Sequence, residues 1–205
     1  MIENESIDSY LNALAAGTAT PGGGAAAALT LAQAAALISM VCNFTLGREK
    51  YKNVEDQVFK ILDHAKGVQL LSMRTVNTDI EAYGQVRAAY ALPKQNPQEI
   101  AARTVAIQGA LENAATVPWQ LAKYCEALYD QALALRPICN QNLVSDVDVA
   151  ICLIRAAVNA LWVNIEVNLK SIANKNIETN IKSTILEAMR RLNTAVPEPV
   201  KALLG

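Results

Sequence analysis

Apolar residues recur every third or fourth position through most of this chain, a helical beat, and one stretch departs from it by having almost no polar face. No charged residue occurs between Asp8 and Arg48, and from Ala25 to Cys42 only Thr30, Gln33 and Ser39 are polar. The pattern predicts a helix over 25–45 with no solvent face, which must be buried in a larger bundle or in lipid. Its alanines favour helix and let neighbouring helices approach closely. Because alanine contributes little transfer energy and Gln33 sits mid-run, burial inside a soluble bundle is the better reading. Pro21, Gly22, Gly23 and Gly24 precede the run; proline pre-sets the entry and the glycines admit backbone conformations closed to other residues. Taken alone, this is a tight turn where chains crowd. It also leaves bare N–H groups at a helix start, whose partial positive charge can hold an anion or a carbonyl oxygen. A nucleotide loop is excluded, since no Gly-Lys-Ser/Thr follows and no strand precedes.

The same periodicity predicts the other elements. A short helix spans 6–16, capped by Ser6, with Ile7, Tyr10, Leu11 and Leu14 on one face. Gly47 ends the central run, and 48–53 form a polar turn. A long helix runs from Val54 almost to Tyr90, and Pro93 and Pro97 bracket the next turn. Another begins near Gln98 and is kinked by Pro118, whose ring removes a ladder bond. An amide-rich loop covers 136–144, Ser145 and Asp146 cap a helix reaching Leu169, and a last amphipathic helix spans 179–193 before Pro197 and Pro199. Nothing reads as a strand. The expected fold is all-α: an up-and-down-like multi-helix bundle around a buried alanine-rich helix, in one domain over 1–205.

Composition narrows the function classes. Lys and Arg number 18 against 19 Asp and Glu, with no basic block, so no nucleic-acid footprint is expected. Hydrophobic residues make up 52% of the chain with only two Phe and two Trp, a surplus that suggests a buried subunit interface. Cys42, Cys125, Cys139 and Cys152 are scattered, with one histidine to join them, and read as reduced core thiols of a cytoplasmic protein without a zinc site. The N-terminus, Met-Ile-Glu-Asn-Glu, lacks the features of a signal peptide.

Asp79 is the most informative single residue. It lies eighteen positions after Ile61, about five turns, so a carboxylate sits on the buried stripe of the long helix. Such a group is expensive to bury unpaired, and burial or a nearby donor tunes it for proton transfer. Tyr83 lies one turn on, at i+4. The bland alternative, weighed equally, is that Asp79 anchors Tyr83 or a neighbouring helix end. Asn43 and Thr45 close the central helix, and Asn164 and Asn168 are spaced i, i+4; each suits an interhelical hydrogen bond, and as a set they suit a polar heterocycle. Lys50, Lys94 and Arg103 lie near helix ends, solvated by default or recruiting an anionic tail. His64 reads as surface. No Glu-x-x-His pairs point to a diiron centre, and one histidine supports no Ser-His-Asp arrangement.

Together these residues resemble the cyclodeaminase and cyclohydrolase family of folate enzymes. The carriers are Thr20-Pro-Gly-Gly-Gly24, Thr45-Leu-Gly-Arg-Glu-Lys-Tyr51, Asp79-Ile-Glu-Ala-Tyr83, Ala91-Leu-Pro-Lys94, Arg103, Val117-Pro118, Asn140-Gln-Asn142, Ser145-Asp146 and 164–169. Any one is weak; their order and spacing are specific. The resemblance implies a helical homodimer binding a tetrahydrofolate derivative between helices, with Asp79 moving protons at the one-carbon unit and no metal or further cofactor. It implies substrate contacts from Pro21, Gly22, Gly23, Gly24, Asn43, Lys50, Tyr51, Tyr83, Lys94, Asn140, Asp146, Asn164 and Asn168, and no nucleic-acid or membrane partner. The expected reaction is hydrolysis of 5,10-methenyltetrahydrofolate or cyclisation of 5-formiminotetrahydrofolate with loss of ammonia. Lack of a fused formiminotransferase domain tilts this toward the hydrolysis. A non-catalytic helical scaffold, or a folate-binding relative without activity, is the competing class.

Overall fold

Helices account for nearly all of residues 5–192, the part described by a computed structural model of the chain. They are α1 (Ile7–Ala15), α2 (Gly23–Thr45), α3 (Glu55–Tyr90), α4 (Pro97–Leu135), α5 (Val144–Leu169) and α6 (Lys175–Arg191), with 3-10 turns at Glu49–Val54 and Gln141–Leu143. No strand occurs among the described residues. α2 packs on α3 and α5, and α4 packs on the same two, so four long helices form a ring with α2 and α4 on its diagonal. Short connections make the neighbours antiparallel, the up-and-down arrangement. α6 lies against α4 and α5.

Local signals explain the ends. Ser6 accepts from the Ser9 N–H at 3.0 Å, and Asn96 accepts from the Glu99 N–H at 2.9 Å with Pro97 in the first turn. Gly47, at φ 70°, takes the left-handed conformation that closes α2, and its N–H donates to Glu55. Where the boundaries differ from expectation, a different residue does the capping. α6 starts four residues before 179, because Asn174 accepts from the N–H groups of Asn176 and Ile177. α5 starts at Val144 without a side-chain cap, and Asp146 sits in its first turn. The proline pair at 197 and 199 lies outside the described residues.

Four expectations about burial are corrected. α2 is not wrapped on every side: Ala25, Ala28, Leu31, Ala35, Ile38 and Cys42 are fully buried, but Ala26, Thr30, Gln33, Leu37, Met40 and Phe44 form a half-exposed outer stripe. A ring of four helices shelters about half of each, so an all-apolar helix leaves apolar surface outside. In α1 the predicted stripe is mostly wet, with Ile7 79% exposed, and Tyr10 is its one buried residue. Cys152 is exposed rather than a core thiol, and His64 is half-buried rather than on the surface.

Candidate active site

At the glycine end of α2 the helix begins without a side-chain cap, since Gly22 has none to offer. The Ala26 N–H already bonds the Gly22 carbonyl, so the earlier amides of the first turn need other partners. Asp79 reaches across from α3 to supply one: the Ala25 N–H donates to its carboxylate. The fit is tight enough that a Cβ added at Gly24 would overlap the Asp79 carboxylate, so glycine there is required by close approach. The Thr20–Pro21 peptide leading in is cis and Pro21 is buried.

Burial raises the Asp79 carboxyl above the ordinary 3.8, and the Ala25 N–H offsets part of that rise by favouring the ionised form. The group can therefore take up and release a proton nearer neutrality than a surface aspartate.

Asp79 opens on a cavity of about 280 Å³ between the glycine turn, α3, α4 and α5. Gly22, Gly23 and Gly24 form one edge; Asp79, Ala82, Tyr83 and Val86 come from α3, Ala114 from α4, and Val163, Asn164, Val167 and Asn168 from α5. Neither lysine, arginine nor histidine lines it. The two asparagine amides are fixed from behind. Asn164 Nδ2 donates to the Ala160 carbonyl at 2.9 Å, and Asn168 Nδ2 to the carbonyls of Asn164 at 3.0 Å and Ala114 at 3.3 Å. Asn168 Nδ2 is taken up by two carbonyls and Asn164 Nδ2 by one, so the side-chain carbonyl oxygens are left to accept from a ligand and one Asn164 N–H is left to donate. Pro118 explains the Ala114 bond: α4 continues through the proline, whose missing N–H would have served the carbonyl four residues back. Asn168 fills that gap.

Thiolate chemistry at the core cysteines is disfavoured. Burial pushes the Cys42 thiol up to about 12 and Cys125 further, so these sulfurs stay protonated. No group of three His, Cys, Asp or Glu suited to a metal ion occurs among the described residues.

A carboxylate, half-buried rather than fully buried as its place on the helix stripe predicts, facing three glycines and two oriented amides is what the folate resemblance calls for, and the family pattern described as formiminotransferase-cyclodeaminase matches residues 6–187. The chain belongs to that family. A methenyltetrahydrofolate cyclohydrolase of Methylorubrum extorquens is 36% identical over 98% of this chain and 99% of its own length. Rat formimidoyltransferase-cyclodeaminase is 30% identical over 92% of this chain, which spans 35% of the rat protein. Among solved structures, formiminotetrahydrofolate cyclodeaminase of Thermotoga maritima superposes with a TM-score of 0.84 at 29% identity, covering 94% of this chain and 92% of that one.

Within this family member the expected site residues fall into separate groups. Gly22, Gly23, Gly24, Asp79, Tyr83, Asn164 and Asn168 meet at the cavity, with Pro21 buried behind the turn. No hydrogen bond joins Tyr83 to Asp79 among the described residues; the phenol is exposed at the cavity mouth. Asn43, Lys50, Tyr51, Asn140 and Asp146 lie at the opposite end of α2, about 33 Å away by helical rise. There the Asn140 N–H donates to Thr45 Oγ1 at 3.0 Å, and Lys50 lies over the Tyr51 ring. Lys94 is exposed in the turn after α3, roughly 20 Å along the helix from Asp79. Arg103 donates to the Tyr90 carbonyl and stacks on its ring, closing the end of α3 rather than waiting for an anion.

Proposed function

We propose that this protein hydrolyses 5,10-methenyltetrahydrofolate to 10-formyltetrahydrofolate, with Asp79 as the proton carrier. One observation carries the reading: Asp79 is the only acidic side chain lining the cavity and is held there by the first turn of α2. The methenyl bridge joins N5 and N10 as a cationic amidinium, which suits a cavity with a carboxylate and no competing cation. Water adds to the bridge carbon while Asp79 takes one of its protons. The carbon–N5 bond then breaks with its electron pair going to N5, which takes that proton, while the hydroxyl proton leaves to solvent as the formyl group forms on N10. A shuttle of this kind contributes roughly 100- to 10,000-fold. The cavity has room for the bicyclic head; the remainder of the folate would lie along its mouth. The Asn164 and Asn168 oxygens would accept from the pterin N–H edge, and no metal or further cofactor enters.

The likeness to a cyclodeaminase structure supports a second reaction at the same group. There N10 attacks the formimino carbon, and Asp79 carries the N10 proton to the departing ammonia. Absorbance of methenyltetrahydrofolate separates the two: hydrolysis consumes it, and cyclisation of 5-formiminotetrahydrofolate generates it with release of ammonia. Loss of neither folate in the presence of protein would leave the scaffold reading.

The reading includes a cytoplasmic homodimer. α2 packs on α5, whose exposed and uncharged positions include Val149, Cys152, Ala156, Val163 and Val167. This surface runs from the cavity mouth to the far end of both helices, too long and apolar for a face left in water. A two-fold axis near Gln33, midway along α2, would bring the Asn43, Lys50 and Tyr51 end of one copy to the cavity of the other. That accounts for site residues lying some 33 Å apart in one chain.

A further inference from the structure

Asn164 and Asn168 are one turn apart on α5 and both line the Asp79 cavity, yet their amides are committed differently. Asn168 Nδ2 is taken up by two carbonyls, that of Asn164 at 3.0 Å and that of Ala114 at 3.3 Å. Asn164 spends one N–H, on the Ala160 carbonyl at 2.9 Å, and keeps the other N–H and its oxygen. The Ala160 bond also fixes which way the amide faces, because turning it over would set its oxygen against a carbonyl oxygen. The head of the amide is aimed at the first turn of α2: a Cβ added at Gly23 would lie 3.4 Å from both Nδ2 and Oδ1, with the carbon behind them at 3.8 Å. At the next residue, Gly24, the group a Cβ would meet is the Asp79 carboxylate. Successive Cα atoms are about 3.8 Å apart, so the carboxylate and the one asparagine with a donor to spare stand on neighbouring residues of the same turn.

We propose that Asn164 determines specificity by reading the lactam edge of the substrate's pterin ring, its free N–H donating to the C4 carbonyl oxygen and its Oδ1 accepting from the adjoining N3–H. This rests on the reading of the cavity as the place of the folate head. In that ring the C4 carbonyl stands next to N5, one end of the bridge on which Asp79 acts, so a donor beside the carboxylate meets the carbonyl when the bridge carbon meets Asp79. A lactam offers one acceptor and one donor, and a side chain with one of each left over matches it. Asn168 does not: its N–H groups hold α4, and only an acceptor remains, which suits the exocyclic 2-amino group. No lysine, arginine or histidine lines the cavity to serve the carbonyl in place of the amide.

The test reads binding separately from turnover. Tetrahydrofolate and 4-amino-4-deoxytetrahydrofolate, in which the C4 group becomes a donor and N3 an acceptor, are titrated anaerobically by calorimetry. Wild type should bind the 4-oxo ring about tenfold or more tightly, since the 4-amino ring sets donor against donor. Asn164→Asp, left with acceptors alone, should reverse that preference, and Asn164→Ala should erase it; should the aspartate variant not fold, the alanine one decides. A side chain that merely supported α5 would weaken both ligands together and leave their ratio as it is. Equal affinities in wild type, or a preference that survives the replacements, overturn the proposal even if methenyltetrahydrofolate is hydrolysed. A ratio that changes as expected in a protein that turns over no folate keeps Asn164 in its role and removes the cyclohydrolase reading, and binding of neither ligand overturns both.

Discussion

At the scale of single residues, Asp79 serves two needs that pull its charge in opposite directions. The α2 amide favours the carboxylate; the apolar surroundings favour the acid, and burial dominates. A carboxyl whose folded pKa is raised contributes stability that is complete below its ordinary 3.8 and is lost as pH rises through the folded value. Asp79→Asn removes the charge and keeps an oxygen for the Ala25 N–H. It should lower turnover about a hundredfold or more, yet raise the melting temperature at pH 7–8 by about 1–3 °C. The gain should vanish toward pH 4, where wild type is itself becoming neutral; a lower melting temperature at neutral pH would mean the charge is needed to hold α2. Gly24→Ala tests the same contact from the other side. The new methyl group displaces the carboxylate, and a misplacement near 1 Å costs about a hundredfold in rate with helix content unchanged. Gly67→Ala, on an open part of α3, is the control and should leave activity as it is.

At the scale of elements, most of the helices were legible because burial on one face writes a 3-to-4 spacing into the sequence whatever the packing partner. What periodicity misses is a contact between helices. That Asp79 caps α2 depends on two antiparallel helices placing residue 24 beside residue 79, which no local pattern states. The same holds for Asn168, whose partner is a carbonyl on another helix, orphaned by Pro118. This exchange makes a double-mutant prediction. Asn168→Leu leaves the Ala114 carbonyl unserved and should cost about 1–3 kcal/mol in chemical denaturation. Adding Pro118→Ala restores an N–H to α4, so the pair should recover most of that loss while activity stays low. If the two losses simply add, the side chain is not repairing the ladder. The stripe of α1 was misread for a related reason: Ile7 and Leu11 have the spacing of a buried face, but only Tyr10, and Leu14 in part, meet the core.

At the scale of the whole molecule, the four-helix ring places the Asp79 cavity at one end of α2 and a second cluster of expected site residues at the other. The proposed pairing across α2 and α5 would reconcile them, and residues near its two-fold axis would then meet their own copies. Gln33→Glu would set two like charges face to face and should weaken dimerisation about tenfold or more, read by sedimentation velocity. Wild-type protein that sediments as a monomer at micromolar concentration would exclude the arrangement. The uncharged outer stripe has a further outcome for handling the protein. If the proposed dimer forms, a chain newly released from synthesis presents a sticky seam a full helix long until it meets a copy of itself, so dilute samples should be the fragile ones, and resistance to heat should climb with protein concentration rather than being a fixed property of the fold.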